Sequence, residues 1–440
     1  MEPLAWLALI IFTVTILAII TNVVEPSAAA LFGVAVMVWT GIMTEVDAFR
    51  FVDWNVMAIL VSVWVIAGYF GKTGVPELLS VKALHWSGGH YGLLVVILSV
   101  LAGMLSIVVD NVVVILMLAP VAIPIVRHLG FPLTPVVLMI GFSSNFMGTA
   151  LLLGDLPPQM LHSVSGAEFL DFIWQHGKPS SFPILMVTFA ITLGFMYVYG
   201  FRSVSKTAAN DTAEEHTDTT FSATLPDPLF AYLVLGAFTA TIVAMAFREI
   251  LNVKLGFIAL TGAVALIILV EVLGERFKKK PEFEEILQEM DWRAVFFYIA
   301  LFALVGGLEK TEILHHLAEM LTPLFIENLA LGASVLYWVT VPLVGIIEHD
   351  AYILTFLYTI RGLGEQGVDP WPLWWMLVWA GTLGSNFTVA GAPALYVALN
   401  ICEREEKRKI PLKEFLSWSV PFTIVASVFC YVFGMLIWVL

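Results

Sequence analysis

The feature that most constrains this chain is a series of apolar runs along its whole length, for example Leu7–Ile20, Leu94–Val109 and Phe422–Leu440. Of its 440 residues, 60% are hydrophobic and only 13% are charged. A bilayer span needs about 20 mostly apolar residues, and a helix satisfies its own backbone hydrogen bonds in lipid. The pattern predicts an all-α polytopic membrane protein. The first run lacks a preceding basic segment, which predicts a span there and not a signal peptide.

The rest of the composition excludes several classes of protein. Cys402 and Cys430 have no Cys or His neighbour at metal-ligand spacing, so we expect no disulfide framework, no metal site and no cofactor. Much of the net charge of -14 lies in the acidic stretches 210–218 and 282–291. These stretches argue against nucleic acid as a partner, because phosphates attract Lys and Arg. The common hydrolase motifs are absent from the sequence, so we predict that the chain is not an enzyme.

An internal repeat divides the chain into two halves. The recurring groups, first copy and then second, are Phe12-Thr13 and Phe238-Thr239, Asp53-Trp54 and Asp291-Trp292, Lys72-Thr73 and Lys310-Thr311, and Ser144-Asn145-Phe146 and Ser385-Asn386-Phe387. The spacing from Trp54 to Lys72 equals that from Trp292 to Lys310. An ordered series at a nearly constant offset indicates a structural duplication of the kind that transporter folds use.

The repeat predicts the domain organisation. We place repeat 1 at 1–201, a cytoplasmic linker at 202–227 and repeat 2 at 228–440. Each repeat is expected to hold five transmembrane helices and one re-entrant helical hairpin, at about 90–128 and about 326–362. In each, one span is a broken helix, at about 133–165 and about 371–400. An odd number of crossings inverts the second repeat relative to the first, which brings the broken helices to a site at the bilayer midplane.

The distribution of basic residues predicts the orientation. With both termini on the outer side, few of the 21 basic residues fall outside, as the positive-inside rule expects. Those few are Arg50, Lys178, Arg248, Lys254, Lys310 and Arg361. We therefore expect a multi-pass protein of the inner (cytoplasmic) membrane, with the lipid bilayer as its solvent.

Polar side chains interrupt the apolar runs at four places, two in each repeat. They lie at the two predicted hairpin tips, Asp110-Asn111 and Glu348-His349-Asp350, and at the two predicted helix breaks, Ser144-Asn145 to Gly148-Thr149 and Asp155, and Ser385-Asn386 to Thr388. Polar groups within spans are costly and mark solute or ion paths. The alternative is that they merely cap helix ends, since caps favour Asp, Asn and Ser.

These residues resemble the motifs of the ion transporter superfamily, and within it the ArsB/NhaD-type permeases, which include arsenite efflux pumps and the P protein. The matching stretches are Asp110-Asn111 to Leu118-Ala119-Pro120, and Ser144-Asn145 through Gly148-Thr149 to Gly154-Asp155 and Pro157-Pro158. Leu156 interrupts the usual Gly-Asp-Pro-Pro order, Gln159 stands where Asn is common, and the second repeat is more divergent. The resemblance implies a scaffold region and a transport region of hairpins and broken helices. It leaves open a homodimer and a cytoplasmic ATPase partner.

The charged residues at these four places limit which class of solute the site can bind. No Lys or Arg lies within 83–126, 128–177, 311–360 or 362–403, whereas four acidic residues do lie at the tips and breaks. A bare anion would enter at a high electrostatic cost. We therefore expect proton-coupled efflux of arsenite or antimonite as the neutral hydroxide. The alternatives are a Na⁺/H⁺ antiporter and a Na⁺-coupled carboxylate transporter.

The site residues are expected to divide into two groups. One group would bind the hydroxyl groups of the solute: Asn111, Ser144, Asn145, Gly148, Thr149, Ser385, Asn386 and Thr388. The other would couple transport to protons or to Na⁺: Asp110, Asp155, Glu348, His349 and Asp350.

Overall fold

A computed structural model describes residues 3–20, 24–201, 225–278, 280–346, 349–389 and 391–440. Most of the predicted linker, 202–224, lies outside the described residues, and so does Glu348 of the second predicted hairpin tip.

The first repeat is almost entirely helical. Its helices are α1 (Pro3–Ile20), α2 (Pro26–Trp39), α3 (Glu45–Phe51), α4 (Trp54–Gly71), α5 (Val75–Ser87), α6 (Tyr91–Ser106), α7 (Asn111–His128), α8 (Thr134–Met147), α9 (Leu156–Ser165) and α10 (Ser181–Met196), which a π-helical turn extends over Tyr197–Phe201. Between α9 and α10 lie a 3-10 turn, Phe169–Phe172, and a two-stranded antiparallel pair, β1 (Trp174–Gln175) and β2 (Lys178–Pro179).

The second repeat has the same order of helices. They are α11 (Pro228–Ala246), α12 (Arg248–Leu251), α13 (Leu255–Val272), α14 (Phe283–Glu289), α15 (Trp292–Lys310), α16 (Ile313–Glu327), α17 (Leu329–Val344), α18 (His349–Glu365), α19 (Pro370–Ser385), α20 (Pro393–Glu406) and α21 (Leu412–Gly434). A 3-10 turn, Gly274–Arg276, follows α13, and a π-helical turn, Met435–Val439, follows α21. Apart from the single turn α12, each helix from α11 onward has a counterpart in α1 to α10.

The packing of the helices shows the same correspondence between repeats. Helix α2 of repeat 1 packs against α15 of repeat 2, and α13 of repeat 2 packs against α4 of repeat 1. Equivalent helices of the two repeats therefore make equivalent contacts across the molecule. Within the repeats, α8 packs against α6 and α7, and α19 packs against α17 and α18. The chain is an all-α polytopic membrane protein of two inverted repeats, each with five crossings and one re-entrant hairpin, which confirms the predicted fold class.

Helix lengths explain where the site lies. Among the described residues, seven helices are long and apolar enough to cross a membrane: α4, α7, α11, α13, α15 and the extended α10 and α21. Helices α6, α8 and α17 are apolar but shorter, and they stop where the chain forms a tip or a break. Every residue of α8 is buried, and so is 372–385 of α19. The two broken helices therefore form the centre of the molecule.

Candidate functional site

The first hairpin tip is built around a helix cap. The Asp110 carboxylate accepts hydrogen bonds from the backbone N–H groups of Val112 (3.0 Å) and Val113 (3.3 Å), the N-cap arrangement that starts α7. Asn111 follows as the first residue of α7 and is buried. Because the cap fixes the start of α7, it also orients the side chain of Asn111, the first residue of that helix.

The first helix break requires glycine at its closest point to the tip. A Cβ atom on Gly154 would lie 2.1 Å from the carbonyl oxygen of Ser106 and 2.5 Å from that of Gly148. Only a residue without a Cβ lets the two backbones approach this closely. Beyond the break, the Asp155 carboxylate accepts a hydrogen bond from the N–H of Leu156 (2.9 Å) at the start of α9. The predicted Gly148 lies beside it, where an added Cβ would be 3.0 Å from the Asp155 Cβ.

A buried hydrogen-bond network joins this tip to this break and then to the other repeat. Asn111 Nδ2 donates to Asn145 Oδ1 (3.0 Å) and to Asp155 Oδ2 (2.9 Å). Asn145 Nδ2 lies within hydrogen-bond distance of Ser385 Oγ (2.9 Å) and Asn386 Oδ1 (3.2 Å). Asn145 is fully buried. Its amide thus links the two broken helices.

The second tip and break have similar backbone geometry but different side chains. A Cβ on Gly391 would lie 2.2 Å from the carbonyl oxygen of Ser385, again too close for any other residue. At the N-cap of α20, however, stands Ala392, which has no side-chain cap. At the tip, His349 Nε2 lies 3.3 Å from Asp350 Oδ1, and both side chains are buried. Thr388 Oγ1 donates to the carbonyl oxygen of Gly345, which ties the break to the tip.

Two of the predicted hydroxyl groups turn back into their own helices. Ser144 Oγ donates to the carbonyl oxygen of Gly141 (3.0 Å), and Ser385 Oγ donates to that of Thr382 (2.8 Å). Thr149 Oγ1 lies 2.6 Å from Thr382 Oγ1 across the repeats. Thr382 was missed from the sequence, because the repeat register pairs it with Gly141, which has no polar side chain to suggest a role.

A cavity of about 480 Å³ leads from the surface to the two hairpin tips. Its inner end is lined by five of the predicted residues: Asp110, Asn111, Asp155, His349 and Asp350. Its outer end is lined by Lys72 and Glu289, whose side chains are 33% and 57% exposed. We call this the basic end of the molecule, where α4 and α7 terminate near Lys72 and Arg127. Solvent at this end of the molecule therefore reaches both hairpin tips through the cavity.

The other predicted binding residues lie behind the cavity wall. They are Ser144, Asn145, Gly148, Thr149, Ser385, Asn386 and Thr388, none of which lines the cavity. Asn386 Nδ2 is a buried donor without a hydrogen-bond partner among the described residues. The structure thus brings the carboxylates and Asn111 to the solvent path, and it places the remaining polar groups in the interface between the two broken helices.

A cavity that runs from one surface to paired hairpin tips, beside two broken helices in the centre of the molecule, is typical of a membrane transporter. The family profile described as "Citrate transporter" (CitMHS) matches residues 16–380, and the chain belongs to this family. An uncharacterized transporter of Mycobacterium tuberculosis H37Rv is 28% identical over 408 residues, which cover 90% of each protein. An uncharacterized transporter of Synechocystis is 23% identical, over 96% of this chain and 95% of that protein.

Two further similarities concern a larger protein and a solved structure. The human P protein is 24% identical over 92% of this chain, and the match covers 56% of the P protein. The YdaH transporter of Alcanivorax borkumensis, whose crystal structure has an unusual topology, shares the fold with a TM-score of 0.56 at 13% identity. That comparison covers 89% of this chain and 86% of the YdaH chain. The chain is therefore a multi-pass membrane transporter.

Proposed function

We propose that this transporter exports a small uncharged hydroxylated solute, arsenous or antimonous acid, in exchange for protons. The observation that carries the proposal is the lining of the cavity. Among the described residues, its inner end presents the carboxyl groups of Asp110, Asp155 and Asp350, whereas the lining contains a single Lys and no Arg. A bare anion would meet like charges in a low-dielectric site. A neutral hydroxide avoids that cost.

Asn111 is the group best placed to bind the solute. Its side chain lines the cavity, and the Asn145 and Asp155 contacts hold its amide in one orientation. The amide oxygen of Asn111 can accept a hydrogen bond from a solute hydroxyl, since its Nδ2 protons are already used by Asn145 and Asp155. Asn145 and the polar groups behind the wall position Asn111, and they meet the solute when the two broken helices rearrange.

The protons would be exchanged by carboxyl groups at the two tips. Asp110 and Asp350 both line the cavity and can exchange protons with water that enters it. His349, which contacts Asp350, is the expected relay, and Glu348 keeps this role as an expectation from the sequence. An intramembrane carboxylate that gains and loses a proton once per cycle is a recurring device of proton-coupled transporters.

The direction of transport follows from the proposed orientation. Under the positive-inside rule, the basic end is cytoplasmic and both termini lie outside, in the inner membrane. The cavity then opens to the cytoplasm. This is the side from which an exporter must take its solute.

Two alternatives each have an observation in their favour. The same carboxylates could serve as cation ligands, in which case the chain would be a Na⁺/H⁺ antiporter. The family description favours citrate or another carboxylate, which would need a bound cation to offset the acidic lining. Both alternatives require Na⁺ or another metal cation, and the arsenous acid proposal does not.

The experiment that separates them is transport into everted membrane vesicles that are energised to an acidic interior. Trivalent arsenic, citrate and internal pH would be followed in parallel, with and without Na⁺, for the wild type and for Asp110→Asn. We expect arsenic to accumulate and the interior to become more alkaline without Na⁺, and we expect both signals to be lost in Asp110→Asn. Sodium-evoked alkalinisation without arsenic uptake would overturn the proposal in favour of cation exchange. Cation-dependent citrate uptake would overturn it in favour of the carboxylate.

A further inference from the structure

The repeated Trp and Lys residues, which take no part in the hydrogen-bond network of the tips and breaks, form a second set of symmetric contacts. Each Trp begins a long helix and fastens the short surface helix that precedes it. Trp54 Nε1 donates to the carbonyl oxygen of Phe49 in α3 (3.1 Å), and Trp292 Nε1 donates to that of Leu287 in α14 (2.8 Å). The indole contacts hold α3 and α14 in equivalent positions in the two repeats.

Each surface helix forms an ion pair with the Lys of the other repeat. Asp47 in α3 accepts a hydrogen bond from Lys310 Nζ at the end of α15 (2.6 Å). Glu289 in α14 accepts one from Lys72 Nζ at the end of α4. The repeated spacing from Trp to Lys in the two halves therefore matches a pairing between repeats.

Beside each ion pair, an apolar side chain of the short surface helix packs against a glycine of the long helix. A Cβ on Gly306 of α15 would lie 2.1 Å from the Phe51 ring, and a Cβ on Gly68 of α4 would lie 2.7 Å from Ile286. We call Asp47, Phe51, Gly306 and Lys310 the α3 clasp. We call Ile286, Glu289, Gly68 and Lys72 the α14 clasp. The two clasps lie at opposite ends of the molecule, because the repeats are inverted.

The two clasps differ in one respect that bears on transport. All four residues of the α14 clasp line the cavity that leads to the hairpin tips, and no residue of the α3 clasp does. Near the α14 clasp, the lining also includes Glu77 and Asp291. Glu77 Oε2 is buried without a hydrogen-bond partner among the described residues. Among the described residues, the mouth of the cavity thus holds three carboxylates and one ammonium group.

We propose that the Lys72–Glu289 pair is a charge filter at the mouth of this cavity. Glu289 neutralises the Lys72 ammonium group, the one fixed cation among the described lining residues. The mouth therefore attracts cations, admits neutral molecules and repels anions before they reach the tips. The filter rests on the proposed function only in taking the cavity as the solute path. It determines which charge class of solute can approach, whatever the solute is.

Removing either partner should change the preference in opposite directions. Lys72→Gln leaves the carboxylates of Glu77, Glu289 and Asp291 unopposed and should favour cations further. Glu289→Gln releases the Lys72 ammonium group and should admit anions. One unit charge in a partly screened mouth changes the local concentration of a charged probe by about fivefold.

The test measures charge preference without measuring transport. In a background with Cys402→Ala and Cys430→Ala, Val113→Cys places one thiol beside Asp110 in the cavity lining. The purified protein in detergent is treated with a trimethylammonium and with a sulfonate methanethiosulfonate reagent, and the ratio of the two modification rates is recorded. We expect the ratio of cation to anion to rise by about fivefold or more in Lys72→Gln and to fall similarly in Glu289→Gln. The double variant should return close to the starting ratio, since one charge of each sign is removed.

The α3 clasp supplies the matched control. Lys310→Gln and Asp47→Asn remove the equivalent pair at the opposite end and should leave the ratio unchanged. Equal effects in the two clasps, or no effect in either α14 variant, would overturn the filter. A thiol at Val113 that reacts with neither reagent would overturn it too, because the cavity would then not be an open path. None of these results depends on whether arsenic is transported, so the filter and the proposed function can fail separately.

Discussion

The two tip-and-break sites share a backbone but not a chemistry. In repeat 1, Asn111 is held by Asn145 and by the Asp155 carboxylate, which also caps α9. In repeat 2, the position that corresponds to Asp155 is Ala392. The tip carboxyl group of Asp350 contacts His349, whereas Asp110 at the first tip caps α7. The duplicated scaffold therefore keeps the glycines that allow close approach, and it assigns the polar side chains differently in its two copies.

This difference indicates a division of labour. The first site is a closed hydrogen-bond network that orients one amide toward the cavity. The second site pairs two titratable side chains at the same cavity. We infer that the Asn111 network of repeat 1 holds the solute, and that Asp350 with His349 in repeat 2 exchanges protons together with Asp110 of the first tip.

The largest effect should be common to both repeats. Gly154→Ala and Gly391→Ala would each place a methyl group within about 2.2 Å of a backbone carbonyl, at 2.1 and 2.2 Å. Backbone cannot move aside as a side chain can, so we expect both variants to lose folded protein, at a cost of about 3 kcal/mol or more. Monodispersity in detergent after mild heating checks this. Gly194→Ala and Gly236→Ala, which meet no atom within 4 Å, should behave as the wild type.

The next effect should differ between the repeats. Asn145→Ala removes the partner of Asn111 and also the donor to Ser385 and Asn386, and each buried polar group left unpaired costs about 1–3 kcal/mol. Asn386→Ala removes a single acceptor of Asn145, which keeps Ser385 Oγ. We expect transport to be abolished in Asn145→Ala and to be reduced by about tenfold in Asn386→Ala. Equal losses in the two variants would show that the sites are equivalent.

The division of labour predicts a contrast between two carboxylates. Asp155→Asn places an amide where two acceptor oxygens serve Asn111 and the N–H of Leu156, so one hydrogen bond is lost and every mode of transport should fall by about tenfold. Asp350→Asn should abolish pH-driven accumulation but leave exchange of labelled for unlabelled solute, which needs no net proton movement. Both modes can be measured in proteoliposomes. The contrast is wrong if Asp350→Asn stops exchange as well.

The smallest effect concerns the α3 clasp. The hydrogen bond from Lys310 holds the pKa of Asp47 below its ordinary value. A carboxylate with a lowered pKa in the folded protein stabilises it above the ordinary pKa, and the contribution is lost as the pH falls through the lowered value. Asp47→Asn should therefore lower the melting temperature by about 1 °C, as for an exposed pair, and equally at pH 7 and pH 5. An offset that disappears at pH 5 would contradict the assigned pairing.

Much of this architecture could be predicted from the sequence, because apolar length and an ordered repeat have direct consequences for a chain in lipid. Asp110, Asn111, Asn145 and Asp155 could be selected because polar side chains in apolar runs are rare. Which of them meet, and which face the cavity, depends on how the two inverted repeats pack, and no local pattern encodes that. The Lys72–Glu289 pair shows the same limit. The repeated spacing from Trp54 to Lys72 is visible in the sequence. The partner of Lys72, Glu289, lies in the other repeat, and no local pattern connects the two.

Thr382 illustrates a second limit. Its hydroxyl contacts Thr149 across the repeats, yet its counterpart is Gly141, so the comparison of the two halves gave no reason to select it. Ser144 is the opposite case. It is polar and adjacent to Asn145, yet its hydroxyl donates to the carbonyl oxygen of Gly141 in its own helix. A repeat identifies positions that share a backbone role, but the contacts of each side chain depend on its neighbours in space.

The most direct test of the central claim is proton movement evoked by arsenous acid in proteoliposomes that contain only the purified protein. The lumen would carry a pH indicator, Na⁺ would be absent, and arsenous acid would be added outside. The account predicts that the lumen becomes more alkaline as arsenous acid enters and protons leave, and that Asn145→Ala proteoliposomes show no such signal. A lumen that stays unchanged with arsenous acid but responds to citrate with a metal cation, or to Na⁺ alone, would contradict it.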